Sequence, residues 1–186
     1  MKAAYIKQTG PSENITYGDL PTPAPTGGQV LVKVRAVAVN PIDTYIRSGL
    51  VQMKLPFPFV VGCDLAGVIE AVGPNTTRSK PGDRVWGSNQ GLLGRQGTFS
   101  EFAAVDECWL HPTPIKVTDE QAAAVALVGI TAHLGLVRVA RLQRNEIIFV
   151  HGGTGGVGST VMQMAKAIGA RVITTGGSDE KVEACR

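Results

Sequence analysis

Apolar residues are spaced in two ways along this chain, and the change comes after Pro112 and Pro114. Before it they fall in short runs, at 2–6, 29–39, 66–72, 84–86 and 101–105, separated by glycine and proline. Such runs predict strands joined by turns, so the region up to about Lys116 reads as a β-rich, barrel-like domain. Pro21-Thr22-Pro23-Ala24-Pro25-Thr26-Gly27-Gly28 is a turn connection rather than a linker between domains. After the change, Thr118-Asp119-Glu120-Gln121 has the form of a capping box. An alanine-rich helix follows to about Ala140, with Gly129 and Gly135 as the places where it could break. The wholly apolar run Ile147-Ile148-Phe149-Val150 then predicts a short strand. A helix over 157–168 and a second strand over 171–175 complete a βαβ unit.

Between the first of these strands and its helix lies His151-Gly152-Gly153-Thr154-Gly155-Gly156-Val157-Gly158. Gly153, Gly155 and Gly158 have the G-x-G-x-x-G spacing of a dinucleotide fingerprint. In that reading Gly153 allows a tight turn, Gly155 lets the backbone approach a pyrophosphate, and Gly158 lets helix and strand pack closely. Thr154, Gly156 and Val157 complete a loop that would seat the anion at the positive end of the helix dipole. The spacing alone is weak; its place between a strand and a helix makes it a nucleotide site.

NAD-binding chains tend to carry an acidic residue at the end of the second strand, for the ribose hydroxyls. Here that strand runs into Thr175-Gly176-Gly177-Ser178, and the acidic position is Gly176. A 2′-phosphate would meet no repulsion there. Gly177 and Ser178 can contact it and Lys181 can supply a cation, so NADPH is expected in preference to NADH. Asp179 and Glu180 weaken the basic field, and Asp179 leaves NADH as the alternative.

Charge and composition narrow the class. The 186 residues carry a net charge of +3, with 44% hydrophobic and 18% charged residues, and the charges form no runs. Neither nucleic acid nor membrane is expected as a partner. No apolar stretch is read as reaching the roughly 20 residues that span a bilayer. No signal peptide precedes the strand at 2–6, and Cys63, Cys108 and Cys185 stand at unrelated spacings. Both features lead to the expectation of a cytoplasmic protein without a disulfide framework.

Five segments carry a family resemblance. They are Val39-Asn40-Pro41-Ile42-Asp43-Thr44-Tyr45-Ile46-Arg47-Ser48-Gly49, Val61-Gly62-Cys63-Asp64-Leu65-Ala66-Gly67-Val68-Ile69-Glu70-Ala71-Val72-Gly73, Pro81-Gly82-Asp83-Arg84-Val85, Gly97-Thr98-Phe99-Ser100-Glu101-Phe102 and the glycine fingerprint. In this order the chain resembles the medium-chain dehydrogenase/reductase superfamily, and within it the zinc-free, ζ-crystallin-like quinone oxidoreductases. The resemblance implies an α/β protein. A GroES-like, β-barrel-type catalytic domain would occupy 1–117, and the first part of a Rossmann doubly wound parallel sheet 118–186. It also implies NADPH in the cleft between the domains, a small quinone or enone as substrate, and a homodimer in the full-length form. Family members continue beyond this point, so a truncated form of a longer chain is expected.

The same segments bear on the chemistry. Zinc alcohol dehydrogenases carry a Gly-His-Glu segment where this chain has Gly62-Cys63-Asp64, and no cysteine lies near Asn40. No metal site is expected. Without a metal, hydride transfer to an electron-poor acceptor needs hydrogen-bond donors for the developing oxyanion. The resemblance points to the Asn40 amide and the Tyr45 hydroxyl, with Asp43 orienting the loop or Arg47. Asn40 can equally cap its own turn. Thr131 is expected to contact the cofactor, while His133 and His151 are read first as structural. The segment 89–97 is flexible by composition and would border the substrate opening. Two other readings stand beside the reductase: an alcohol dehydrogenase-like enzyme with an atypical metal site, and a non-catalytic nucleotide-binding fragment.

Overall fold

Alternation of buried and open side chains brings the two longest strands of the chain together. A computed structural model of the chain describes residues 1–185. They divide into two compact units, Met1–Leu127 and the residues from Val128 onward.

The first unit holds β1 (Lys2–Ile6), β2 (Thr16–Asp19), β3 (Gln29–Ala36), the helix α1 (Pro41–Ser48), β4 (Phe59–Val60), β5 (Leu65–Val72), β6 (Arg84–Gly87), β7 (Phe102–Asp106) and β8 (Leu110–Pro112). Five strands form one antiparallel sheet in the order β7-β3-β5-β6-β8, and three form a second in the order β2-β1-β4. Register follows burial: Val30 and Val32 of β3 pair with Val105 and Ala103 of β7, and Val32 also faces Ile69 of β5. These residues, with Leu65, Val85 and Leu110, make one closed cluster. Each buried Val, Leu or Ile contributes about 1.5–3 kcal/mol, against roughly 1 kcal/mol net for a hydrogen bond. Apolar packing therefore sets the register and the ladder follows it. Gly67 permits the close strand approach, because a Cβ there would overlap the Lys33 carbonyl oxygen.

A second cluster fixes α1. Ile46, on its inner face, packs with Ile6, Phe59 and Val61. The sequence reading continued a strand over 29–39, but β3 ends at Ala36. Pro41 occupies the first turn of α1 and Asn40 takes its extended N-cap position, with φ −117°. Proline suits that place because it has no N–H to satisfy, and it pushes the residue before it into extended backbone.

The helix α2 (Asp119–His133) runs through the division between the units. The sequence reading put the boundary at 117/118, ahead of this helix. In the structure Ala122 and Ala123 pack on Ala66, with Trp86 and Val117 around them, and this keeps the first turns of α2 in the first unit. The helix passes Gly129 without interruption and becomes a π-helix over Leu134–Val139. One expectation needs correction. The run Asp119–Val139, 21 residues long, is long and apolar enough to cross a membrane by length and composition alone. Within it Ala122, Ala123, Ala126 and Ala132 lie buried against protein.

The second unit continues with β9 (Ile147–Val150), α3 (Gly156–Ile168), β10 (Arg171–Thr174) and α4 (Asp179–Glu183). The strands β9 and β10 are parallel, in the βαβ arrangement that the sequence predicts. Leu136, Ala165 and Ala170 form the core, with Ile148, Val161 and Val172 packed against it. Ile147, Phe149 and Ile173, on the opposite face of this sheet, are exposed.

Candidate functional site

The N-terminus of α1 gathers three of the buried polar side chains of the first unit. The Asp43 carboxylate reaches back to accept from the Asn40 N–H at 2.7 Å. The Asp43 N–H donates to the Asn40 main-chain oxygen at 3.0 Å, while the Asn40 side chain faces that same N–H only loosely. This is a capping box closed mainly by its carboxylate half. The Asn40 amide is turned inward, and its Nδ2 donates to Asp64 Oδ2 at 2.8 Å. The Leu127 N–H donates to the same oxygen at 3.2 Å. Thr98 Oγ1 donates to the Asp64 main-chain oxygen at 2.8 Å. Asn40 and Asp43 are each 6% exposed and Asp64 only 1%.

Three atoms of this cluster lack a partner: Asp43 Oδ1, Asp64 Oδ1 and Ser88 Oγ. The Ser88 hydroxyl lies beside Asp64 and the Cys63 thiol beside Asp43, both short of a hydrogen bond of ordinary geometry. Burial raises the pKa of Asp43, partly offset by the Asn40 N–H. Burial also raises that of Asp64, against the pull of Ser88, Asn40 and Leu127. The Cys63 thiol is pushed far up, first by burial and then by the charge of Asp43. The ion pairs among the described residues, Lys2–Asp19 and Arg84–Asp119, lie elsewhere.

Of the three side chains that the sequence singled out for chemistry, the structure brings Asn40 and Asp43 together and leaves Tyr45 apart. Tyr45 is 44% exposed, on the outer side of α1, whereas Asp43 and Ile46 face inward. The partner that sequence reasoning missed is Asp64, weighed there only as a metal ligand. Its signal was its position directly ahead of the buried strand β5. Among the described residues no three His, Cys, Asp or Glu side chains stand in metal-holding geometry. Segment 89–97 is tied down at several points: Arg95 donates twice to the Asn89 carbonyl and stacks over Trp109, and Gln90 is buried. It borders a pocket of ≈ 490 Å³ whose lining includes neither Asn40, Asp43 nor Tyr45.

In the second unit the fingerprint loop is held by one residue of β10's end. The Thr175 carbonyl accepts from the Gly153 N–H at 3.1 Å, and its hydroxyl accepts from the Gly152 N–H at 3.1 Å. His151 Nδ1 shares that hydroxyl at 3.0 Å. The left-handed turn falls at Gly152, with φ 72°, and not at Gly153. Gly153 is required for space instead, since a Cβ there would overlap the Met162 sulfur and the Thr174 hydroxyl. Gly158 has the expected role of close packing, because a Cβ would overlap the Gly152 carbonyl oxygen. Gly155 is the N-cap of α3, and Thr154, Gly155, Gly156 and Val157 face solvent. The N–H groups of Gly156, Val157 and Gly158 open the helix and have no acceptor within it, which leaves them for an anion.

Beyond β10, Ser178 caps α4 by accepting from the Lys181 N–H at 3.3 Å, and Gly177, Ser178 and Lys181 are exposed. A Cβ at Gly176 would come within 2.8 Å of the Val182 nitrogen and 2.9 Å of the Lys181 carbonyl carbon. An acidic side chain has no room there. Thr131 and His133 are exposed near the end of α2.

The chain is similar to known proteins in sequence and in fold. The alcohol dehydrogenase GroES-like domain matches residues 26–115. The quinone oxidoreductase of Homo sapiens is 38% identical over 181 residues, covering 97% of this chain and 54% of that protein. A zinc-type alcohol dehydrogenase-like protein of Staphylococcus aureus is 35% identical over 169 residues, 88% of this chain and 49% of that protein. The crystal structure of Escherichia coli quinone oxidoreductase complexed with NADPH superposes with a TM-score of 0.89 at 30% identity, over 100% of this chain and 55% of that one. The chain thus spans about half the length of the curated relatives it matches.

Proposed function

Because the chain belongs to the medium-chain dehydrogenase/reductase superfamily, among the quinone oxidoreductases, we propose that it is part of a cytoplasmic, NADPH-dependent, zinc-free reductase of quinones or electron-poor enones. The observation that carries the reading is the open fingerprint turn at 152–158, with Gly153 and Gly158 packed too tightly for side chains and its helix-opening amides facing solvent. Those amides suit a pyrophosphate. Exposed Lys181 and Ser178 suit a 2′-phosphate, and the crowding at Gly176 keeps a carboxylate away from it.

When bound, a dihydronicotinamide supplies a hydride; the acceptor gains that hydride and one proton. In the first unit, the Asn40 amide is the donor for the oxyanion that develops on the acceptor, and Tyr45 is the surface hydroxyl able to donate a hydrogen bond. Asp43 orients Asn40 through the capping box. A zinc-free reaction is supported by the ligand set: among the described residues no three His, Cys, Asp or Glu side chains are grouped to hold a metal. The Asp64 oxygen that could coordinate already accepts from Asn40 and Leu127.

The test is NADPH oxidation with p-benzoquinone as acceptor, after dialysis against a chelator. Turnover unchanged by the chelator is expected. Loss of turnover, restored by zinc together with alcohol oxidation, would favour the metal-dependent reading, which the likeness to the zinc-type relative keeps in view. NADPH binding without turnover would favour a non-catalytic nucleotide-binding protein.

A further inference from the structure

Asp64 is 1% exposed and has no ion pair among the described residues, an expensive position for a carboxyl group unless its bonds are needed. Both of its side-chain bonds converge on one oxygen, Oδ2, which accepts from Asn40 Nδ2 and from the Leu127 N–H. A main-chain N–H can only donate. Leu127 therefore fixes Oδ2 as an acceptor, and a proton held by the group belongs on Oδ1, beside the unpartnered Ser88 hydroxyl. The burial that raises the Asp64 pKa thus leaves the oxygen facing Asn40 unchanged in character.

An asparagine carboxamide is nearly symmetric in shape, and its bonds alone decide which end is nitrogen. With an obligate acceptor in front of it, Asn40 must turn Nδ2 towards Asp64 and Oδ1 away. One N–H of the amide is then engaged, and the second is a donor of fixed direction. We propose that Asp64 is a positioning residue, which by accepting from Leu127 and Asn40 at one oxygen holds the Asn40 amide so that it presents an N–H to the substrate oxyanion. This rests on the reading of Asn40 as the oxyanion donor given above.

The inference makes Asp64→Asn and Asp64→Leu behave differently. An asparagine at this position can keep an oxygen towards Leu127 and Asn40 and turn its own amide nitrogen towards Ser88. A leucine fills similar space and accepts nothing. The first measurement is the side-chain amide resonance of Asn40 in isotope-labelled protein, assigned by its loss in Asn40→Ala. A hydrogen-bonded, slowly exchanging amide is expected in the parent and in Asp64→Asn, and a free amide in Asp64→Leu. Asp64→Ala replaces Asp64→Leu if the leucine variant does not fold.

The second measurement is a double-mutant cycle on p-benzoquinone reduction. Asp64→Leu is expected to lower kcat about 10-fold, as an orientation loss does, with KM for NADPH unchanged and no further loss in an Asn40→Ala background. An unchanged Asn40 resonance in Asp64→Leu, or a loss of equal size without Asn40, overturns the positioning role while leaving Asn40 as the donor. Full activity of Asn40→Ala overturns the reading of Asn40 itself, and the positioning role with it.

Discussion

Asn40, Asp43 and Asp64 are almost completely withdrawn from water, whereas Thr154, Gly155, Gly156 and Val157 face it. In the proposed reading the first unit presents chemistry through side chains, and a side chain is directional only when its neighbours restrict it. Burial and shared hydrogen bonds do that for Asn40, leaving Asp43 and Asp64 each with an oxygen lacking a partner. In the same reading the second unit binds through backbone N–H groups, whose direction is set by the fold of the chain itself. Gly153 and Gly158 let the turn and the helix pack closely enough to set those groups in place. One site is made specific by what surrounds it and the other by what is missing from it.

The sharpest way to break this contrast is Gly158→Ala. A Cβ against the Gly152 carbonyl must displace the loop, and overpacking of this kind costs about 1–3 kcal/mol, so NADPH affinity should fall roughly 10- to 100-fold. Titration of NADPH fluorescence measures the effect, and the Asn40 amide resonance should not move. Unchanged affinity would mean that the turn does not need the space its glycine leaves.

Gly176→Asp comes next. Because its Cβ would crowd the start of α4, the substitution should weaken NADPH and NADH alike, by about 10-fold, rather than exchange one cofactor for the other. A gain in NADH affinity would show that α4 yields and that the 176 position is free. Smaller still is Lys181→Ala. Loss of an exposed cation should weaken NADPH about 5-fold and leave NADH unchanged, with the difference shrinking as salt is added. Equal effects on both nucleotides would remove Lys181 from the 2′-phosphate site.

The smallest expected change belongs to the first unit and appears in stability rather than binding. Asp64 keeps its proton to higher pH in the folded protein than in the unfolded chain, so the folded state binds more protons between the ordinary carboxyl range and the raised folded value. Its contribution is fully present below the ordinary range and is lost as pH rises through the folded value. Asp64→Asn should raise the thermal midpoint at neutral pH, leave it little changed in acid, and not alter NADPH affinity. A neutral midpoint equal to the parent's would show that the carboxyl group is not strained by its burial.

The two regions also differed in how far they could be read from sequence. The βαβ unit was legible almost residue by residue, because Ile147-Ile148-Phe149-Val150, the glycine spacing and the amphipathic helix are all local signals. The tight turn was misplaced by one residue, since which of two adjacent glycines turns left-handed depends on the bonds from Thr175. In the first unit the strands β1, β3, β5, β6 and β7 were foreseen, but β2, the two-residue β4 and β8 carry too little pattern of their own. The helix α1 was passed over although Asn40, Pro41 and Asp43 spell an N-terminus, because eight residues between strands offer a short period.

Sequence alone determined the family, the order of strand-rich and βαβ regions, and the chemistry available at Asn40, Asp43 and the glycine loop, since these depend on residue types at short spacing. Only the tertiary structure decided that Asp64 faces Asn40, that Tyr45 stands outside the cluster, and that Gly176 has no room for an acid. Those facts join residues far apart in the chain, or depend on which side of a helix is covered. Contacts of that kind are set by packing, which no local pattern contains.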